Sequence, residues 1–318
     1  MENSIEITRY SCEMHHEWDQ FVDCSKNATF LLRRNYMDYH ADRFTDCSLV
    51  IRSKGRIVAL LPANISGSVV FSHAGLTYGG LITDARMTAR LMIDIVRGIN
   101  DFLSVHIGAT AVVYKPSPWI YHSMPSEEDL YALTSVCHAS ISSREISSTI
   151  SLDNHPRFSE LRRRCVKKAE KAGVDVRECD DFSAFWQILS TNLQCKYGVS
   201  PVHTLEEILL LKHRFPKQIR LFIAYCDDEP LAGTVIFDTP QVLHSQYISA
   251  SPQGKAIGAL DLIFAHIIGN YSGSHRFFDF GKSTEQHGKY LNPSLIFQKE
   301  GFGGRAVCYD TYTWYLPS

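Results

Sequence analysis

A short glycine-containing segment, residues 253–258, has the composition of an anion-binding turn. It follows a strand-like stretch that ends at Ala250 and precedes a helix whose apolar residues begin at Leu260. Phosphates are commonly held by main-chain N–H groups at a helix N-terminus that is approached through glycine. The sequence therefore predicts that an anionic carrier binds Gln253, Gly254, Lys255, Ala256, Ile257 and Gly258. The alternative is that these glycines only form a strand-to-helix turn.

Three polar residues, Asp279, Glu285 and His287, lie in or just beyond a buried stretch at residues 276–280. The end of a strand often opens into a cleft, and histidine readily takes a proton near neutral pH. Strand alternation places Asp279 on the face opposite its two phenylalanine neighbours. All three are candidates for a base or an orienting group. For Asp279 a structural hydrogen-bond acceptor is the preferred interpretation.

Two groups of basic residues are candidates for phosphate contacts. The first lies on a helix that ends near Gly173, opposite its apolar stripe, and comprises Arg162, Arg163, Arg164, Lys167, Lys168 and Lys171. The second is the pair Arg33 and Arg34, which would face an anionic acceptor. Guanidinium and ammonium groups bind phosphate oxygens through charge-assisted hydrogen bonds. The alternative for both groups is a solvated surface.

Several other kinds of site have no counterpart in the sequence. It has no Gly-x-Ser-x-Gly motif, no Walker-type loop and no metal-ligand spacing among its 14 histidines. The nine cysteines are scattered, with no Cys-x-x-Cys pair, as is typical of reduced thiols. No apolar run is long enough to cross a bilayer and no signal peptide is visible. A net charge of −2 excludes a wholly basic nucleic-acid coat. We expect a cytoplasmic protein without a metal.

The elements that must position these residues follow one pattern twice along the 318 residues. In each half, strand-like runs joined by a turn precede a helix and a further strand. These are residues 47–61, 91–103 and 109–114, and then residues 220–250, 260–268 and 276–280. Residues 142–149 are polar and serine-rich, which is typical of a loop, so we place domains at 1–150 and 151–318. The pattern predicts an α+β fold, with two units that each contain a mixed, mostly antiparallel sheet flanked by helices.

The C-terminal third resembles a known family. FDFGKSTE at residues 278–285 and FQKEGFG at residues 297–303 resemble the signature of Fem-type (FemAB-like) peptidoglycan aminoacyltransferases. The helix at residues 161–174, ending in Ala-x-x-Ala-Gly-Val, resembles the basic helix that opens their second domain. Residues 29–36 and 77–80 match landmarks of the first domain more loosely.

This resemblance implies two tandem GNAT-like domains, with acyl transfer and the donor site in the second. It implies that Lys299 stabilises charge on the acyl group or donor. GNAT proteins carry Gln/Arg-x-x-Gly-x-Gly/Ala at the place of residues 253–258, but here Ala256 replaces the usual glycine. Phe297 stands where simple GNAT enzymes have a proton-donating tyrosine, so Tyr290 becomes a candidate donor and Phe297 is expected in the core. The candidates for the acceptor site are Arg33, Arg34, Tyr36 and Tyr78.

Three functions remain open at this stage. The leading one is transfer of an acyl group from acyl-CoA, as co-substrate, to an amine of a cell-envelope precursor, sugar or peptide. The second is a Fem-type aminoacyltransferase with aminoacyl-tRNA as its donor and therefore tRNA as a partner. The third is a catalytically silent binding protein of the same fold, which Ala256 and Phe297 both favour.

Overall fold

The computed structural model describes residues 5–154 and 156–317. The strands in this part of the chain are β1 (Ile5–Arg9), β2 (Thr45–Asp46), β3 (Leu49–Ser53), β4 (Arg56–Leu61), β5 (Asn64–Ser66), β6 (Val69–Phe71), β7 (Ile82–Thr83), β8 (Ala111–Tyr114), β9 (Ser140–Ser151), β10 (Asp175–Cys179), β11 (Ile219–Cys226), β12 (Glu229–Asp238), β13 (Val242–Ala250), β14 (Phe277–Lys282), β15 (Thr284–Glu285), β16 (Tyr290–Leu291) and β17 (Arg305–Tyr315).

The helices in the same residues are α1 (His15–Asp23), α2 (Arg34–Met37), α3 (Ala89–Phe102), α4 (Glu128–Cys137), α5 (Glu160–Lys171), α6 (Phe182–Tyr197), α7 (Leu205–Arg214), α8 (Pro252–Ile257), α9 (Ala259–Tyr271) and α10 (Pro293–Gly301).

Unit 1 comprises Met1–Glu145, Gln286–Lys289 and Cys308–Ser318. It contains a four-stranded sheet in the order β1-β3-β4-β7, and further strands paired as β2-β5-β6-β8-β17. Thr88 begins α3 because its side chain accepts a hydrogen bond from the Leu91 amide. The buried residues of α3 recur at helical spacing and pack into the unit's apolar core together with residues of β3, β4 and β8.

Unit 2 comprises Ile146–Glu285 and Tyr290–Val307. Its strands run in the order β10-β11-β12-β13-β14-β9, antiparallel except for the β13–β14 pair. Helices α5 and α9 contribute to an apolar core with alternate residues of β11, β12 and β14. Helix α6 packs on the opposite face, where a Cβ at Gly233 would lie 2.5 Å from Phe185.

Strands β13 and β14 pair over a short distance and then separate. The parallel register joins Val242 to Phe277 and ends with His244 opposite Asp279. Strand β13 nevertheless continues to Ala250 and β14 to Lys282. Since parallel strands exchange hydrogen bonds only while they run side by side, their separation leaves an opening in the sheet.

The predicted fold class, α+β with mostly antiparallel sheets flanked by helices, is confirmed. The expectation of a loop at residues 142–149 is wrong, because these residues lie within β9. Ser147 and Thr149 are buried there, and their hydroxyls donate hydrogen bonds to Asp279. The division into domains 1–150 and 151–318 stays a prediction, and its boundary falls within β9.

Candidate active site

A pocket of about 240 Å³ lies in unit 2 beside the separating ends of β13 and β14. Its apolar lining consists of Leu189, Leu193, Ile248, Ala250, Leu260, Phe264, Phe280, Leu295 and Phe302. Its polar lining consists of Asn192, Lys196, Ser249, Lys255, Gln298 and Lys299. Among these described residues there are three lysines and no carboxylate. The pocket therefore suits an uncharged or anionic group next to an apolar one.

Helix α10 carries Lys299 to this pocket. The helix begins where the Asn292 side chain accepts a hydrogen bond from the Leu295 amide at 3.1 Å. Lys299 lies in its last turn and is only 4% exposed. Its Nζ donates to the main-chain oxygens of Gly281 at 2.8 Å and Lys282 at 2.7 Å. The ammonium is thus held by neutral carbonyl groups.

The protonation of Lys299 is set by its burial. Removal from water disfavours the charged form and lowers the pKa of Lys299 to about 8, although the Asp279 carboxylate acts in the opposite direction. An ammonium with this pKa is still largely charged at neutral pH. It can stabilise negative charge that develops on a substrate oxygen.

Asp279 is fully buried in β14 and accepts hydrogen bonds from three side chains. Its Oδ2 lies 2.8 Å from His244 Nδ1, and its Oδ1 accepts from Thr149 Oγ1 at 2.9 Å and from Ser147 Oγ. Burial would raise the pKa of Asp279, but the hydrogen bonds and the charge of His244 outweigh that effect and lower it. Asp279 is therefore a carboxylate at neutral pH, as a well-satisfied structural acceptor would be.

Residues 253–258 form most of α8 and its junction with α9. Several of their main-chain N–H groups donate hydrogen bonds within the protein. The Gly254 amide donates to Ser251 Oγ at 3.0 Å, and the Lys255 amide donates to the Ser251 oxygen at 2.9 Å. The Gly258 amide donates to the Gly254 oxygen at 3.1 Å. These three groups are engaged within the protein, so anion binding by Gln253, Gly254, Lys255, Ala256, Ile257 and Gly258 stays a prediction.

The two glycines of this segment also have packing roles. A Cβ at Gly254 would lie 2.3 Å from the Leu231 oxygen, and one at Gly258 would lie 2.6 Å from the Cys165 oxygen. Gly258 in addition has a φ of +84°, which glycine adopts most readily. Close packing of α8 and α9 on their neighbours therefore explains both glycines without a ligand.

The other candidates from the C-terminal motif do not line the pocket within the described residues. Glu285 accepts a hydrogen bond from Asn292 Nδ2 at 2.8 Å and so helps to fix the N-terminus of α10. Tyr290 is exposed, and His287 belongs to unit 1, where its main-chain oxygen accepts from Ser143 Oγ at 2.7 Å. The expectation that Phe297 lies in the core is wrong, since it is 64% exposed on α10.

The first-domain candidates are packed into unit 1. Arg34 is buried and pairs with Asp38 at 2.6 Å and Asp46 at 2.9 Å, while Arg33 lies 3.4 Å from Asp19. Burial would lower the pKa of Arg34, but these carboxylates raise it. Tyr36 and Tyr78 are both buried, and the Tyr78 hydroxyl lies 2.9 Å from Thr29 Oγ1. The acceptor-binding role of Arg33, Arg34, Tyr36 and Tyr78 stays a prediction.

The basic side chains of α5 do not share one solvated face. Arg162 pairs with the buried Asp261 of α9 at 2.8 Å and lies over the Phe302 ring. Arg163 and Arg164 are exposed and both pair with Glu160. The expectation that Arg162 lies on a solvated face opposite the apolar stripe is therefore wrong. Its guanidinium pairs with the carboxylate of Asp261 on α9, so the side chain lies in the contact between α5 and α9.

Sequence reasoning missed two polar residues of unit 2, one bonded to Asp279 and one in the lining of the pocket. His244 and Asn192 lie within a strand and a helix whose patterns indicated only buried structure. The single available signal was that β13 carries four polar residues, His244, Ser245, Gln246 and Ser249, within a largely buried strand. Buried polar residues in a central strand require partners and mark a site worth testing.

Comparisons with known proteins agree with this architecture. Residues 158–289 match the family model of the acetyltransferase (GNAT) domain, a segment that contains α6, α8, α9, β13 and β14 but not Lys299. The fold is similar to that of FemX, with a TM-score of 0.69, 10% identity and coverage of 98% of this chain and 97% of that one. The chain has a GNAT-superfamily, FemX-like fold. A sequence comparison with curated proteins finds no significant match.

Two further solved structures have the same fold over nearly their whole length. The C-terminal domain of a putative lysylphosphatidylglycerol synthetase from Agrobacterium fabrum has a TM-score of 0.60 and 12% identity, and the similarity covers 96% of this chain and 92% of that one. A tandem GNAT protein from the clavulanic acid biosynthesis pathway has a TM-score of 0.55 and 12% identity, with 99% of each chain covered. These two similarities concern the fold and agree with a tandem arrangement. The match of residues 158–289 to the acetyltransferase (GNAT) domain supports an N-acyltransferase.

Neither a membrane-spanning helix nor a cluster of metal-binding side chains occurs among the described residues. No helix in them combines the length and the apolar character that a membrane crossing requires. No three or more of their His, Cys, Asp and Glu side chains are grouped so that they could hold a metal ion.

Proposed function

We propose that the chain is an N-acyltransferase whose acyl group is bound in the unit 2 pocket. The observation that carries the proposal is the buried ammonium of Lys299, which lines the pocket and is held by carbonyl oxygens rather than by a carboxylate. When an amine attacks an acyl carbonyl, negative charge develops on the carbonyl oxygen. A preorganised positive group at that oxygen is worth about 3 kcal/mol in a water-excluded site.

For the donor, we favour an aminoacyl ester of tRNA over acyl-CoA. Three amides of residues 254–258, the place that would hold the pyrophosphate of coenzyme A, donate hydrogen bonds within the protein. The resemblance to Fem-type enzymes implies the same donor. The match to the acetyltransferase (GNAT) domain keeps acyl-CoA as the second candidate.

The donor is tested by giving the protein each activated acyl group separately. Labelled acetyl-CoA and tRNA charged with a mixture of labelled amino acids are each incubated with the protein and a set of amines, namely amino sugars and peptides with free lysine or glycine amines. We expect label on an amine with charged tRNA, at a rate that Lys299→Met reduces. Transfer from acetyl-CoA alone would overturn the donor assignment. Absence of transfer, together with no shift of the melting temperature by millimolar coenzyme A and no retention of tRNA on filters, would favour the silent binding protein.

A further inference from the structure

His244 has one ring nitrogen fixed and the other without a partner. Asp279 is a buried carboxylate that can only accept hydrogen bonds, so the hydrogen of the imidazole lies on Nδ1, 2.8 Å from Asp279 Oδ2. In the neutral ring Nε2 then carries the lone pair. Among the described residues Nε2 has no hydrogen-bond partner, and the side chain is 13% exposed. A carboxylate that orients an imidazole in this way also stabilises its protonated form.

The position of His244 places it close to the ammonium of Lys299. His244 is the last residue of β13 that pairs with β14 before the strands separate. Its ring packs against Gly281, where a Cβ would lie 3.4 Å from His244 Cε1. The oxygen of the same glycine accepts the hydrogen bond from Lys299 Nζ. A proton acceptor and a cation thus flank one residue of β14.

Unit 2 contains a second histidine–aspartate pair that has a different arrangement. His275 Nε2 lies 2.9 Å from Asp238 Oδ1, and His275 Nδ1 lies 2.9 Å from Ser274 Oγ. Both ring nitrogens of His275 therefore have partners, whereas Nε2 of His244 is left for another molecule. The two side chains are almost equally buried, with 12% and 13% exposure.

We propose that His244, oriented by Asp279, takes the proton from the attacking amine in the transfer reaction. This inference rests on the proposed function. As the amine lone pair forms the new C–N bond, the carbonyl electron pair moves to the oxygen beside Lys299, and the N–H proton moves to His244 Nε2. When the carbonyl re-forms, the bond to the donor oxygen or sulfur breaks with its electron pair. The proton then leaves His244 for that leaving group or for solvent.

The groups around His244 include one carboxylate and one ammonium. Asp279 on β14 contacts it directly, and Lys299 on α10 lies beyond Gly281. Its cross-strand neighbour on β12 is Phe237, which is uncharged. On β9, Ser147 and Thr149 contact Asp279 and do not titrate near neutral pH. Asp279 and Lys299 are thus the charged groups that face His244, and the alkaline side of the pH profile should report Lys299.

The test compares His244→Gln with the matched control His275→Gln, using the donor that the wild-type protein accepts. We expect His244→Gln to lower kcat by about 10²–10⁴-fold. His275→Gln should keep kcat within about threefold of the wild-type value. Imidazole in the buffer should partly restore transfer by His244→Ala. Melting temperatures of all three variants show whether a loss of activity reflects unfolding.

The outcomes separate this inference from the proposed function. If the wild type is active and Lys299→Met is not, but His244→Gln keeps the wild-type rate, the role of His244 is wrong and the acyltransferase stands. A folded but slow His244→Gln, together with a folded His244→Ala that imidazole does not rescue, would also overturn it. A wild type without transfer from either donor contradicts the proposed function itself.

Discussion

Among the described residues each unit buries one lysine, and the two ammonium groups have different partners. Lys26 in unit 1 and Lys299 in unit 2 are both 4% exposed. Lys26 Nζ lies 2.5 Å from a carboxylate oxygen of Glu128, whereas Lys299 Nζ donates to two main-chain carbonyl oxygens. The Glu128 carboxylate therefore neutralises the charge of Lys26. The charge of Lys299 is stabilised only by the dipoles of two neutral carbonyl groups. Burial of a cation alone does not indicate a site, whereas burial without a bonded anion leaves its field available to a substrate.

Replacing Lys299 with methionine should have the largest effect on activity. Lys299→Met removes the charge but keeps most of the side-chain volume. We expect kcat/KM to fall by about 10²–10³-fold, because the developing oxyanion loses its cation. The free energy of unfolding should change by less than about 1 kcal/mol, since burial already disfavours the charged form. Steady-state kinetics and urea denaturation measure the two quantities.

Lys26→Met is the matched control for that prediction. It leaves the half-buried Glu128 carboxylate without its partner and should destabilise the protein by about 3 kcal/mol. At temperatures below the unfolding transition of Lys26→Met, its kcat/KM should stay near the wild-type value. The comparison between the two lysines fails if Lys26→Met abolishes transfer while folded, or if Lys299→Met retains full activity.

A second prediction concerns two buried histidines in unit 1. His40 and His73 are almost fully buried, and neither ring nitrogen of His40 has a hydrogen-bond partner among the described residues. Burial lowers the pKa of His40 to about 4 and that of His73 to about 3. The unfolded chain takes up these protons below about pH 6.5 and the folded chain does not, so stability falls as the pH falls.

Because only the unfolded chain protonates these two histidines, the free energy of unfolding should fall by about 3 kcal/mol between pH 7.5 and pH 5.5. Urea denaturation at each pH measures this change. His40→Phe should lose less stability over the same interval than the wild type. An unfolding free energy of His40→Phe that depends on pH as steeply as that of the wild type would show that other groups govern the acid response.

The third and smallest predicted effect is a fall in activity at alkaline pH. Because the pKa of Lys299 is about 8, its ammonium is mostly present at pH 7 and mostly absent at pH 9. We expect kcat/KM to fall by about tenfold over this interval. Lys299→Arg keeps its charge and should show no such fall, even if its rate is lower. Donor hydrolysis without enzyme, measured at each pH, corrects for loss of substrate. A wild-type profile that stays flat to pH 9 would contradict a role for the ammonium.

Periodicity was sufficient to predict the elements that form the core. Residues 242–250 were predicted as a strand and form β13, and the helix predicted at 91–103 is α3. Both have buried apolar residues at the spacing of their secondary structure, so the pattern reflects the energy of burial. Residues 142–149 misled the same reasoning, because the buried hydroxyls of Ser147 and Thr149 in β9 donate hydrogen bonds to Asp279, a partner 130 residues or more away in sequence.

The site was only partly predictable for a related reason. The resemblance identified Lys299 from the letters around it, and strand alternation gave the face of Asp279. The His244–Asp279 pair depends on the parallel register of β13 with β14, which single-strand patterns do not contain. Likewise, Phe297 is apolar and helical but lies on the exposed side of α10, since a short helix gives few residues from which to determine a face.

The separation of β13 from β14 has a consequence for how this scaffold can change over time. Leu189, Leu193 and Leu295 line the pocket beside this opening, and all three lie on helices. Replacing them therefore removes no hydrogen bond between strands. The preference of the pocket for one bound molecule over another can therefore change through single substitutions of these side chains, while the hydrogen bonds of the sheet remain intact. Proteins that share so little sequence can accordingly keep one backbone and handle different molecules.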